Sequence, residues 1–433
     1  MSELSEQLAA ALPDNSVVRP DWLRSLRETG AEQFRAYGLP TRKNEAWKYT
    51  TLGTLEQAGL QLPPAVESLP SHDFTPAPLV ESGLQLNMLD GQILAQTGDP
   101  PSGLTVLPLA DALYFGINGL QTLLESLVDK SPKNLAGHGF SALNSATLEA
   151  GVVINVATGT DAGRLAVLWS TAPDVKPLLF NSRVCVILEP GAKLELLEQF
   201  QSTADNTNTS NIVLQAAIGE NAEFCHIRFQ QESDKAALVT RTEVAQQAGS
   251  AYTYYGFDLG GELIRHDVHA ALLGSGAKTG INGAYLLDGN RHVDNHARVD
   301  HHAPGGTSHQ YFRGVAGGSG RAVFNTAVCV HPGADGTEAR QSNANILLSA
   351  RAEIDTKPEL EIYADEVIAS HGATVGQLDE AAVFYIRSRG LSEQQARQLL
   401  TMAFCRSVSE KLPDQVLGEV IAQRMLDVMP QAE

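Results

Sequence analysis

A mainly β protein, a parallel β-helix (solenoid) core flanked by N-terminal and C-terminal helical regions, is the fold predicted by this chain. Two observations predict it: turn-like glycines recurring at a nearly constant interval, and helical periodicity confined to the two ends. Gly191, Gly219, Gly249, Gly276, Gly305 and Gly333 are each followed by an extended segment, at intervals of 28, 30, 27, 29 and 28 residues. A weak repeat of this length reads as a solenoid, whose units bury their apolar faces by stacking on neighbours. Each period has room for two or three strands of about five residues with turns between them. Glycine turns also recur in ordinary all-β domains, so a sandwich is the alternative the spacing leaves open.

In chain order, three regions follow: a helical and mixed region at 1–130, the β-helix core at 140–375 and a C-terminal helical region at 376–433. In the first, Trp22, Leu26, Gln33, Phe34 and Tyr37 repeat at mostly helical spacing between Asp21 and Tyr37, with Pro20 at the entry and Gly38 and Pro40 as the stop. From Gln61 to Pro108 the prolines, among them Pro63, Pro64, Pro70, Pro76 and Pro78, suit short strands and irregular connections. Leu109 to Val128 reads as one further helix. At the other end, Asp379 to Arg389 is a helix closed by Gly390. Ser392 and Gln395 form a capping box that opens a second, with Ala396, Leu399, Phe404 and Val408 on one face. A third follows Pro413, carrying Leu417, Ile421 and Met425. These faces either pack together or dock a partner.

The chain has 433 residues, 43% of them hydrophobic, enough for an ordinary buried core. Fifty acidic against 31 basic residues give a formal charge of -19, which disfavours nucleic acid and anionic membrane as partners. No apolar run approaches the roughly 18 residues of a membrane span, and MSELSEQLAAALPDNS lacks a basic region followed by an apolar core. The expectation is a cytoplasmic protein. Cys185, Cys225, Cys329 and Cys405 form no CxxC pair, which excludes a zinc knuckle or a self-contained ferredoxin-type site and reads as free thiols.

Nine of the twelve histidines (His266, His269, His292, His296, His301, His302, His309, His331 and His371) fall between residues 266 and 371. Stacking one period apart would bring His269, His296 and His331 together as metal ligands. The HxxH and HxxxH spacings at 266/269 and 292/296 share a face only on a helix, whereas this region reads as strand. The default is histidines hydrogen-bonded to backbone. His371 stands apart, in the run Glu361–Glu380, where Ser-His-Gly-Ala-Thr leaves the imidazole open and Asp365, Glu366, Asp379 and Glu380 are carboxylates able to orient it. The glycine-rich segments 274–280 and 314–320 lack the Gly-Lys-Ser/Thr of a P-loop, and no Gly-x-Ser-x-Gly elbow occurs. The chain shows no nucleotide-hydrolysing machinery.

Three stretches resemble the SufB/SufD family of iron-sulfur cluster assembly proteins: LPTRKNEAWKYT at 39–50, the region ending in His331-Pro with QSNANILLS at 341–349, and 358–389 with SHGATVGQLDE and FYIRSRG. The first stretch and the SHGAT histidine look like the D-type subunit. The resemblance implies a right-handed parallel β-helix and a non-catalytic scaffold that pairs with a SufB-like subunit and docks a SufC-like ATPase through its C-terminal helices. Phe384, Tyr385, Arg387, Arg389, Leu399 and Phe404 are the docking candidates. It also implies His371 as a cluster-assembly residue and tentative metal ligand at a subunit interface, where a transient iron-sulfur cluster forms; no cofactor is expected to bind this chain tightly alone. Many relatives carry Cys-Ser-His where this chain has Ala369-Ser-His, so no thiolate acts at that position here. An exposed solenoid edge is compatible with self-pairing, and the sequence leaves open whether the isolated chain is a homodimer. Two rival readings are a β-helix carbohydrate-active enzyme using Asp288, Asp294 and Asp300, and a stand-alone histidine-rich metal-binding protein.

Overall fold

The computed structural model describes residues 2–63, 76–127, 137–172 and 177–430. Two nearly parallel sheets face each other as the two walls of a solenoid. The even strands, from β4 (Gly151–Val156) through β12 (Leu263–Leu272), β14 (His292–His301) and β16 (Arg321–Val330) to β18 (Glu353–Ile362), form one wall. The odd strands, from β5 (Asp161–Ser170) through β9 (Glu223–Gln231), β11 (Ala251–Asp258), β13 (Lys278–Leu287), β15 (Thr307–Ala316) and β17 (Glu338–Leu347) to β19 (Ile368–Gly376), form the other. Coil-to-coil pairing is parallel throughout, as in β12–β14 and β15–β17. Antiparallel pairs occur at the N-terminal end, where β1 (Leu84–Leu89) pairs with β2 (Gln92–Thr97), and β3 (Leu104–Pro108) with β4.

The solenoid reading is therefore correct, with two corrections to its detail. Each coil holds two strands, mostly of 10 residues, rather than two or three of about five. The turns also stack in a different register. Backbone N–H donors at Gly191, Asn221, Gly249, Gly276 and Gly305 each reach the carbonyl of the next turn, and all five have positive φ. Gly219 and Gly333 are not the residues in this column: Asn221 takes the left-handed position at φ 56, and Gly305 bonds to the turn carrying Gly336. Asparagine tolerates that backbone well, so a glycine search misses it.

Strands of the solenoid other than β18 and β19 are largely buried on both faces. Alternate residues such as Leu194, Leu196, Tyr252, Tyr254, Val299 and Phe324 point inward and fill the space between the walls. The outward face of the odd wall, through Leu197, Phe229, Phe257 and Leu286, is covered by α8 (Glu393–Ser409) and α9 (Gln415–Asp427), which contribute Cys405, Val408, Leu417 and Ile421. The outward face of the even wall is covered by N-terminal helices: α2 (Asp21–Tyr37) and α6 (Gly139–Ala146) bring Phe34, Phe140 and Leu143 onto Ala237, Val239 and Leu263. The sequence reading did not foresee α6 or α1 (Glu3–Ala10), which Ser2 caps.

The single helix expected from Leu109 to Val128 is two, α4 (Leu109–Phe115) and α5 (Leu120–Ser126). Gly116 and Gly119 break it at φ 75 and 78, and Val128, like Pro64 and Pro70, lies outside the described residues. The C-terminal helices match the sequence: Asp379 caps α7 (Glu380–Ser388), and the Ser392/Gln395 capping box is formed at the start of α8.

LPTRKNEAWKYT is a clasp. Trp47 is 2% exposed, stacks on Phe140 with centroids 5.8 Å apart, and lies beneath the Arg265 guanidinium at 4.4 Å. Arg265 donates to the Ala46 carbonyl at 2.8 Å and pairs with buried Asp294, to which Thr50 also donates.

Candidate functional site

β19 is the last strand of its wall, paired with β17 on one side and open on the other. His371 stands in register with Gln341. Strand alternation puts it on the same face as Ala369, which packs against the solenoid interior. At the open end this inward-facing position is exposed to solvent. Below it, the same register column of the odd wall holds Gln341, Gln310, Ile281, Tyr254 and His226. Among the described residues, buried oxygens of Tyr254, Gln310 and Gln341 in that column have no hydrogen-bond partner.

The four carboxylates suggested by sequence do not gather around His371. Asp379 accepts the Ala381 N–H as a helix cap and Glu380 pairs with Arg397 at 2.9 Å. Asp365 donates its backbone N–H to Asp335 at 2.9 Å, and Glu366 sits in a left-handed turn. Among the described residues, His371 forms no ion pair with any of them. No thiol is available to it either. Cys185, Cys329 and Cys405 are buried and Cys225 is half-buried, and burial pushes the thiols of Cys185, Cys225 and Cys405 up to about 12. A cluster held by thiolates would need them from elsewhere.

The docking candidates divide by position. Phe384 and Tyr385 on α7 are 73% and 57% exposed, and Leu399 on α8 is 49% exposed. Arg389 stacks over Tyr385 at 5.2 Å and Arg387 pairs with Glu393 at 3.2 Å. Phe404 instead turns half-buried toward the odd wall, with Arg313 over its ring.

In the histidine-rich segment, His266, His269, His296 and His331 meet carboxylates, and His292 and His301 meet the hydroxyls of Thr50 and Ser308, rather than the backbone expected of them. His269 and His331 do come together, both on Asp300, at 2.8 and 2.9 Å. His296 does not join them; it lies 3.0 Å from Asp294. Cross-coil register, invisible to a count of sequence spacing, decides this. Burial works against a charged His269, but Glu243 and Asp300 outweigh it and raise its pKa to about 9.

Inside the solenoid, Arg228, His266 and Asn295 converge on Asp258 at 3.0, 3.0 and 3.1 Å. Burial and Arg228 lower His266 to about 4, against the pull of Asp258. A folded-state pKa below the unfolded 6.5 means that the unfolded chain binds the extra proton between pH 6.5 and 4, so stability falls as pH drops through this window. The expected loss is about 3 kcal/mol. Urea midpoints measured at pH 7 and pH 4.5 check it, and His266→Gln should flatten the difference.

The carbohydrate-enzyme trio is dispersed. Asp294 and Asp300, six residues apart on β14, are separated by roughly 20 Å of strand, well beyond the roughly 5–10 Å of a glycosidase pair. Both are ion-paired, and Asp288 accepts the Gly289 N–H in a turn.

Together these features define a two-walled parallel β-solenoid protein, sheathed by helices, that presents a histidine at its open end. A family model described as "SUF system FeS cluster assembly, SufBD core domain" matches residues 171–404, and the chain belongs to this family of iron-sulfur cluster assembly proteins. It is 27% identical over 435 residues to the iron-sulfur cluster assembly protein SufD of Escherichia coli, covering 97% of this chain and 99% of that one. An iron-sulfur cluster assembly SufBD family protein of Synechocystis is 28% identical, covering 95% and 91%. The chloroplastic protein ABCI7 of Arabidopsis thaliana is 30% identical, covering 95% and 88%. Among the described residues, no helix is long and apolar enough to cross a membrane.

Proposed function

We propose that this chain is a non-catalytic, SufD-like scaffold subunit of a cytoplasmic Suf assembly complex. The observation that carries the reading is the open end of the solenoid. There β18 and β19 leave parallel strand edges unpaired among the described residues, His371 is exposed, and Ile362, Tyr363 and Ile368 present apolar side chains at 44%, 60% and 63% exposure. An edge of this kind is a template for pairing. A SufB-like subunit is the proposed occupant, with a second copy of this chain taking its place when it is absent. His371 then supplies a ligand or proton carrier to an iron-sulfur cluster assembled at the junction, while the partner supplies the thiolates. The ATPase activity belongs to a SufC-like partner docked on the region from about residue 376.

The test is reconstitution of the complex with His371→Ala. Cluster formation, followed by visible absorption and by iron and sulfide analysis, is expected to fall at least tenfold while the complex stays intact; undiminished assembly would refute the site. A second prediction concerns docking. Phe384→Ala with Tyr385→Ala removes exposed rings, so unfolding should shift by less than about 1 kcal/mol, whereas ATPase binding measured by calorimetry should weaken tenfold or more.

A further inference from the structure

On the outward face of the even wall, away from the edge that carries His371, two histidines converge on one carboxylate. Asp300 lies near the end of β14, His302 just after it, and His331 just after β16, one coil further on. The His302 and His331 rings are stacked with centroids 4.0 Å apart and planes 12° from parallel. One donor atom from each of Asp300, His302 and His331 falls within 4.8 Å of the others. Asp300 is 5% exposed, whereas His302 opens to solvent, so the group has a buried floor and an accessible rim. The His302 imidazole makes no hydrogen bond among the described residues; its ring contact is the stack on His331.

We propose that Asp300, His302 and His331 form a binding site for a divalent first-row transition-metal ion. Two imidazoles and one carboxylate with open positions are the donor set of non-haem iron(II), and imidazole suits borderline ions of this series in general.

The surroundings set the terms of binding. Arg298 holds both oxygens of Asp300, at 2.6 and 2.8 Å, and His269 holds one of them. An incoming dication competes with these cations for the carboxylate. The Arg298 side chain is 45% exposed and can swing into solvent. Cys329 is the register partner of Asp300 on β16. Its thiol is buried and does not belong to the group whose donor atoms lie within 4.8 Å of one another.

The full-length chain, free of any affinity tag, can be dialysed against cobalt(II) as a spectroscopic probe. One equivalent is expected to be retained, with visible ligand-field bands. His302→Ala, an exposed change, and His331→Ala should each weaken binding at least tenfold. Exposed His309→Ala should leave it unchanged, and Arg298→Ala should tighten it. Failure of the wild type to retain cobalt, equal binding by the His302→Ala and His331→Ala variants, or weaker binding by Arg298→Ala overturns the site.

Discussion

Replacing Asp258 with alanine is expected to destabilise the protein by about 3–5 kcal/mol, because removal of one partner leaves a buried charge uncompensated. Asp258 is 2% exposed and faces the interior between the walls. Burial alone would raise its pKa, but Arg228 and His266 outweigh that and hold it at about 2. Without it, the guanidinium of Arg228, itself 2% exposed, loses the one carboxylate within ion-pair distance of it among the described residues. Guanidinium chloride unfolding measures the loss. The double replacement Arg228→Met, Asp258→Leu removes both charges and should recover most of it, since apolar substitutes for a buried pair are often neutral. A loss below about 1 kcal/mol in the single variant would show that Asp258, which meets Arg228 within the odd wall and His266 and Asn295 on the even wall, is not needed to hold the interior together.

Trp47→Ala is expected to cost about 3–5 kcal/mol, the range for deleting a large buried aromatic. The ring is enclosed by Phe140 on one side and Arg265 on the other, and its Nε1 donates to the Gly137 carbonyl at 3.0 Å. The substitution opens a cavity beneath Arg265, which keeps its Asp267 and Asp294 partners. The solenoid wall should therefore survive while the N-terminal layer loosens. Limited proteolysis should cut the variant near residues 41–49 well before the β strands, and equal resistance of variant and wild type there would refute the clasp.

Much of the fold was legible because its signals are local. Left-handed turns require residues that tolerate positive φ, so glycines mark the coils; the slips came at Asn221, where asparagine serves the same purpose, and at Gly336. The capping box at Ser392/Gln395 and the caps at Asp379 and Asp414 are short-range hydrogen bonds and could be read directly from adjacent letters. The break between α4 and α5 is written in Gly116 and Gly119, whose positive φ ends one helix and precedes the next. Helix α6 gave little periodic signal because all but one of its eight residues are buried.

The site was legible only in part. His371 was recognisable from its neighbours, yet its position at the mouth of the solenoid follows from strand alternation relative to Ala369. The Asp300 cluster was hidden more deeply: His269, Asp300 and His331 are 31 residues apart in steps, and which of them meet depends on coil length to the single residue. A one-residue change of register would turn each of them to the other face.

By itself, the sequence determined a repeating β architecture, helical ends with defined caps, free cysteines and a family. Tertiary structure decided which wall each helix covers, which carboxylate each histidine meets, and that His371 stands at an open end rather than among Asp365, Glu366, Asp379 and Glu380. The physical reason is range: turn conformations and caps depend on adjacent residues, whereas cross-coil pairing and burial arise only when residues about thirty apart are stacked by parallel hydrogen bonding.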